Sequence, residues 1–162
     1  MEVQLKIKKD EAGHNRVCSI KAFVTSFFVM GFTYTNIELV FRGRTHVSML
    51  VVGGLCGALV GLINEKYPKM KMWKQCAIGT GIIISLEFLS GYILNIVLKL
   101  QVWDYSALRF NFMGQISLLF AVLWFFLCIP VIWLDDYLRY KFFDGVCHGT
   151  LKDYLFRFIE LK

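Results

Sequence analysis

The chain has 162 residues, of which 57% are hydrophobic, 16% aromatic and only 19% charged, with a formal net charge of +6. A soluble domain carries about 45–50% apolar residues, and a chain this short keeps too much surface to hide the excess in a core of its own. The composition excludes an ordinary soluble enzyme, a disordered chain and a disulfide-stapled secreted domain, and leaves a membrane protein with one domain's worth of chain.

Residues 1–21 form a basic tail carrying Lys6, Lys8, Lys9, Arg16 and Lys21. The apolar run that follows is of span length and lacks a small-residue cleavage site, so a cleavable signal is not expected. Four stretches approach the roughly 20 residues needed to cross a bilayer. They fall at about 22–41 (AFVTSFFVMGFTYTNIELVF), 47–63 (VSMLVVGGLCGALVGLI), 77–98 and 112–134 (FMGQISLLFAVLWFFLCIPVIWL). Backbone groups in lipid must be satisfied within the segment, so helices are expected, and no series of alternating strands suggests a barrel. Residues 135–162 mix Tyr137, Leu138, Tyr140, Phe142, Phe143, Leu155, Phe156 and Ile159 with charges. That segment is too polar to span and reads either as amphipathic helix at the inner interface, broken near Gly145 and Gly149, or as a loose tail. The expected fold is all-α: a four-helix up-and-down transmembrane bundle at 22–134 with an interfacial C-terminal helix.

Orientation follows from the cations. The two tails and the loop between the second and third spans hold 14 of the Lys and Arg residues, and the other two loops hold four, namely Arg42, Arg44, Lys99 and Arg109. The positive-inside rule then places both termini in the cytoplasm, and nucleic acid is not needed to explain the charge. The five cysteines (Cys18, Cys56, Cys76, Cys128 and Cys147) show no CxxC or Cys/His spacing and read as packing residues.

The informative residues are the polar ones set among apolar neighbours. Glu87 falls near the middle of the third span, where even lenient scales charge about 2.5–3.5 kcal/mol for a carboxylate, so it must face protein or water. Thr80, Ile84, Glu87, Gly91 and Asn95 recur on one helical face. Gly31, Thr35, Glu38 and Arg42 form a similar stripe in the first span, with Arg42 one turn from Glu38. Gly53, Gly57 and Gly61 make a tandem GxxxG in the second span, which predicts close helix packing and a central place in the bundle. Asn64 and Glu65 cap that span at its inner end.

On the bundle, Glu38, Arg42, His46, Asn95, Trp103, Asp104, Asn111 and Gln115 gather in the outer half, with Glu87 below them. They suggest an outward-facing polar cavity that ends on Glu87 and binds a small solute or ion. The same residues could instead form a buried network that fixes helix register. Enzyme signatures are missing, including GxSxG, HExxH, the P-loop and the dinucleotide fingerprint. A site built from Glu38, His46 and Asp104, doing acid–base or metal work on a lipid-linked substrate, is conceivable, but no ligand spacing supports it. His14 and His148 lie away from this set. No cofactor and no resident metal are expected.

Several strings carry a resemblance: E-x-x-FRGRTHVSM-x-x-x-GG from Glu38 to Gly54, GLINE at Gly61 to Glu65, and LEFLSG-x-x-x-N at Leu86 to Asn95. VWDYS at Val102 to Ser106, NFMGQISL at Asn111 to Leu118 and DDYLRY at Asp135 to Tyr140 complete it. Together they resemble the ABC-transporter type IV, or CmpB-like permease, family of small bacterial integral membrane proteins, over about residues 23–140. The resemblance implies a plasma-membrane location and a permease-like role in transport, and four spans imply a homo-oligomer or a partner membrane subunit. The alternatives are a membrane scaffold or regulatory subunit without transport, or a small membrane enzyme.

Overall fold

The computed structural model describes residues 2–145, 147 and 149–159, with side chains described from Cys18 onward. His14, His148 and the tail side chains of Lys6, Lys8, Lys9, Arg16 and Lys162 lie outside the described set.

Helix α1 runs from Glu2 to Arg42, α2 from Val47 to Lys66 and α3 from Met72 to Gly91. The chain leaves α3 through a π-helical turn, Tyr92–Val97, in which the Leu98 amide bonds back to the Ile93 carbonyl at 2.9 Å. A minimal antiparallel hairpin follows, β1 (Asn111–Phe112) against β2 (Ile116–Ser117). Then come α4 (Leu118–Phe142) and α5 (Leu151–Ile159). Four segments are long and apolar enough to span a membrane: Cys18–Arg42, Val47–Lys66, Met72–Val97 and Leu118–Phe142. This is the all-α, four-span bundle expected from the sequence. One end carries the β-hairpin, and the other carries the α2–α3 loop and the C-terminal segment.

The outside of the bundle is apolar, with Phe28, Phe32, Leu89, Val122 and Phe126 exposed where lipid would surround them. The buried core is small and centres on Val60, Met72, Cys76, Ile83, Cys128, Ile129, Ile132 and Tyr154. Helix α2 packs against α1, α3 and α4, while α1 rests mainly on α2. The α1–α2 seam depends on glycine. A Cβ built on Gly53 would come within 2.8 Å of the Tyr34 side chain, and one on Gly54 within 2.6 Å of the Phe27 carbonyl oxygen. Gly57 abuts Met30 in the same way, so only hydrogen at these positions lets the helices approach this closely.

The fourth span differs from its sequence boundaries at both ends. The apolar run from Phe112 is no helix at first: Met113 and Gly114 take positive φ (53° and 69°) and turn the chain back on itself. The Ser117 hydroxyl then accepts the Phe120 amide at 3.4 Å and starts α4 at Leu118. At the far end the helix does not stop at residue 134. It runs through Asp135, Asp136 and Arg139, all buried, to Phe142. In a sequence, charges at the end of an apolar run look like solvent. Here they bond one another and side chains of other helices, so the helix continues.

Helix α5 is amphipathic and docks. Its Tyr154 is fully buried, and Phe158 packs edge-on against Phe125 of α4, with ring centroids 5.7 Å apart.

Candidate binding site at Glu87

Helix α3 sets Glu87 one turn beyond Ile83 on its buried face. Two neutral donors reach it from other elements. The Tyr105 hydroxyl, from the loop before the hairpin, donates to Oε1 at 3.0 Å, and the Trp124 indole of α4 donates to Oε2 at 3.0 Å. Both donors are held by ring packing. Tyr105 stacks on Phe120 with centroids 4.5 Å apart, and Trp124 lies against Phe120 and Tyr34. Burial pushes the Tyr105 phenol above its ordinary range, and the nearby Glu87 charge adds to this, so the hydroxyl stays a donor. Among the described residues no Lys, Arg or His forms an ion pair with Glu87.

Glu87 closes one end of a cavity of about 120 Å³ bounded by all four spans. The walls are otherwise nearly all apolar: Met30 from α1, Met49 and Val52 from α2, Ile83 from α3, and Val131 from α4. Thr33 and Ile37 of α1 and Leu127 of α4 also line it and are exposed, so the cavity opens sideways between α1 and α4.

Of the nine residues the sequence assigns to a solute site, Glu87 alone lines this cavity. The other eight lie at the hairpin end, where Glu38, Arg42 and His46 line a separate cavity of about 140 Å³ together with Arg44, Thr45 and Val102. Glu38, buried, accepts from Arg42 Nη1 at 2.7 Å and from the Thr45 hydroxyl at 2.8 Å, and Arg42 Nη2 reaches the Val102 carbonyl at 2.9 Å. Arg42 thus ties α1 to the long loop. The Asn95 amide donates to Gln115 Oε1 at 2.8 Å and to the Trp103 carbonyl at 3.0 Å, while its oxygen accepts the Val102 amide at 2.7 Å. Trp103, buried, donates its indole N–H to the Gln115 carbonyl at 3.0 Å. Asp104 is exposed and accepts from the Ser106 hydroxyl and amide, which hold its carboxyl below the usual carboxylate range. Asn111 braces the turn by donating to the Leu108 carbonyl at 2.7 Å and accepting the Gly114 amide at 3.1 Å. His46, exposed, caps α2 by accepting the Ser48 amide at 3.2 Å. Glu38, His46 and Asp104 therefore belong to three separate hydrogen-bond sets, although Glu38 and His46 line one cavity. Among the described residues no group of three His, Cys, Asp or Glu is placed to hold a metal ion.

Two partners of Glu87 were missed by sequence reasoning, although both left a signal. Tyr105 sits inside the VWDYS string, and Trp124 is an indole N–H in the middle of an apolar span, where it needs an acceptor.

A second buried polar layer, at the opposite end of the bundle, was missed entirely. Asp135 of α4 accepts from the Ser26 hydroxyl of α1 and from Arg139 Nε at 2.6 Å, and Arg139 Nη1 pairs with Glu65 of α2 at 2.7 Å. Asp136 accepts from Asn64 of α2 and from the Tyr154 hydroxyl of α5, each at 2.5 Å. Gln75 of α3 donates to Asn64 at 3.0 Å. Asn64 and Glu65, read from sequence as a cap on α2, are here joined to every other helix of the bundle.

A family model described as "Putative ABC-transporter type IV" matches residues 17–148. The chain belongs to this CmpB family. The match takes in all four spans of the CmpB-family bundle and both polar layers, and it ends before α5, whose Tyr154 nonetheless completes the second layer. No curated protein and no solved structure matches the chain.

Proposed function

We propose that this CmpB-family protein is a multi-pass plasma-membrane component of an ABC-type system, with both termini cytoplasmic, and that it handles a small solute or ion at the Glu87 cavity. The observation that carries this reading is a carboxylate within a span, bonded among the described residues by Tyr105 and Trp124 alone, in the lining of a cavity bounded by all four spans. A carboxylate so placed favours a positively charged or hydrogen-bond-donating group. The apolar walls favour a small apolar body attached to it. The lining of this cavity is mostly apolar, with Glu87 its one ionisable carboxyl group, and on this reading it opens between α1 and α4. The arrangement of cations supports the hairpin end as the outer face, and a bundle of four spans supports assembly with further copies or a partner subunit.

The test uses the full chain in proteoliposomes with small ammonium compounds, methylamine and benzylamine, as probes, following Trp124 fluorescence and proton-linked uptake together. Both probes should alter the emission of a protein in which Trp124 is the sole tryptophan, with benzylamine favoured. Glu87→Gln should weaken the response at least tenfold while leaving the fold intact. Equal responses in the parent and Glu87→Gln would refute the assignment.

A second reading, a scaffold or regulatory subunit without transport, is favoured by the size of the cavity. At about 120 Å³ it holds little more than a ring or a short branched chain. It predicts that the protein leaves the rate at which the probes enter liposomes unchanged from that of protein-free vesicles.

A further inference from the structure

The charged layer at the end opposite the hairpin encloses a larger cavity than the one at Glu87. It measures about 440 Å³, within the range of small-molecule sites, and is walled by Ser19 and Ala22 of α1, Asn64 and Glu65 of α2, and Asp136 and Arg139 of α4. Two atoms in that wall are left without partners. Arg139 is 7% exposed, and its Nη2 is buried with no hydrogen bond among the described residues, although Nε and Nη1 are both engaged by carboxylates. Asp136 is 3% exposed and takes both of its donors, Asn64 and Tyr154, on Oδ2. Oδ1 carries no hydrogen bond among the described residues, and the donors on Oδ2 are neutral.

A buried guanidinium N–H left unmade costs more than an ordinary hydrogen bond contributes. A carboxylate served only by an amide and a phenol keeps most of its charge. Asp136 and Arg139 are three residues apart on one helix, which puts them side by side with Cβ atoms about 5–6 Å apart. The wall thus offers, within one helical turn, an unfilled acceptor that is negative and an unfilled donor that is positive. The lining carries two carboxylates, Glu65 and Asp136, and one guanidinium, Arg139, so it is suited to a ligand with charge of both signs. Arg157 of α5, 5.2 Å over the Tyr154 ring, is a second cation, on the far side of the Asp136 donor.

We propose that this chamber is a second ligand site, distinct from Glu87, that takes a small zwitterion: its ammonium group lies against Asp136 and Glu65, and its oxyanion against Arg139. An ammonium–phosphate pair meets this description whether it arrives as a soluble molecule or as the headgroup of a lipid at the rim of the bundle. A simple anion would face two carboxylates, and a simple cation would leave Nη2 unfilled.

The experiment uses the full chain in phosphatidylglycerol nanodiscs. Free O-phosphoethanolamine, ethanolamine alone and inorganic phosphate alone are titrated by calorimetry, and in a separate arm phosphatidylethanolamine is mixed into the discs and the melting temperature followed. The proposal expects saturable binding of O-phosphoethanolamine, or a raised melting temperature with phosphatidylethanolamine, with each half-molecule at least tenfold weaker. A response in the first arm identifies a soluble source, and one in the second a lipid source. Asp136→Asn should reduce the response at least tenfold. Ser19→Phe fills the chamber from α1, losing the Ser19–Glu65 hydrogen bond of 3.3 Å but leaving Asp136 and its donors unchanged, and should do the same if Asp136→Asn does not fold. No saturable response in either arm, half-molecules that match the zwitterion, or a response that survives Ser19→Phe in a folded protein would overturn the proposal.

Discussion

Gly61 stands where α2 meets the buried carboxylate of α4. A Cβ built on it would lie 2.6 Å from both Cβ and Oδ2 of Asp135 and closer still to the carboxyl carbon. Asp135 is fully buried and tied to Ser26 and Arg139, so it has little freedom to move away. Gly61→Ala gains up to about 1 kcal/mol of helix propensity. Against this stand about 1–3 kcal/mol for overpacking, and up to about 3–5 kcal/mol if the carboxylate is pushed off its guanidinium. The net is a loss of about 2 kcal/mol or more. Gly81 is the matched control: it is a helical glycine whose added Cβ would meet nothing within 4 Å, so Gly81→Ala should be neutral or stabilising by up to about 1 kcal/mol. Reversible unfolding in mixed micelles, titrated with dodecyl sulfate, should separate the two variants by about 3 kcal/mol, the sum of these opposite effects. Equal midpoints for the two would show that the α2–α4 contact is not as close as described.

Three further outcomes follow from the same geometry. Asn95→Leu strips three hydrogen bonds from the base of the hairpin loop and should cost about 2–4 kcal/mol, with hydrogen exchange quickening at the Val102 amide; an unchanged Val102 rate would contradict it. Ser117→Ala removes the cap of α4 and should lower stability by about 1 kcal/mol, with the same unfolding assay reading the change. Asp153 accepts the Thr150 amide at 2.6 Å and the Thr150 hydroxyl at 2.8 Å, which holds its carboxyl below the ordinary 3.8. Because the folded pKa is depressed, the cap on α5 is fully present above about pH 4 and is lost as pH falls below it. Amide protection across Leu151–Ile159 should decline over that window in the parent and lose that dependence in Asp153→Asn, whereas a parent profile flat with pH would contradict the cap.

The bundle was legible because lipid imposes a coarse rule: a run of about 20 apolar residues leaves few alternatives to a helix. The ends of the spans were less legible, and for opposite reasons at each end of α4. Phe112 to Ser117 is apolar enough to read as membrane, but the positive φ at Met113 and Gly114 is a local backbone choice that hydropathy does not register. Asp135, Asp136 and Arg139 are polar enough to read as the start of a tail, because apart from the Asp135–Arg139 pair itself their partners lie 70 or more positions away in sequence or on α5. The site shows the same split. Glu87 stood out because a lone carboxylate in a span is costly. Of the residues grouped with it on polarity alone, Glu38 and Arg42 pair with each other, as do Asn95, Trp103 and Gln115, while His46, Asp104 and Asn111 are taken up by their own turns. A count of polar groups per face does not say which donor meets which acceptor, and that pairing decides whether a residue faces a cavity or a neighbour.

The hydroxyl of Tyr105 joins the loop before the hairpin to the middle of the bundle by bonding the carboxylate of Glu87, which lines the cavity. Loop and cavity are therefore two halves of one equilibrium. An occupant that takes Oε1 competes with Tyr105 for it, and by reciprocity a ligand that shifts Tyr105 from the loop side changes the affinity at Glu87 by the same factor. A protein that binds the hairpin end thereby acts as an effector of the membrane site without entering it.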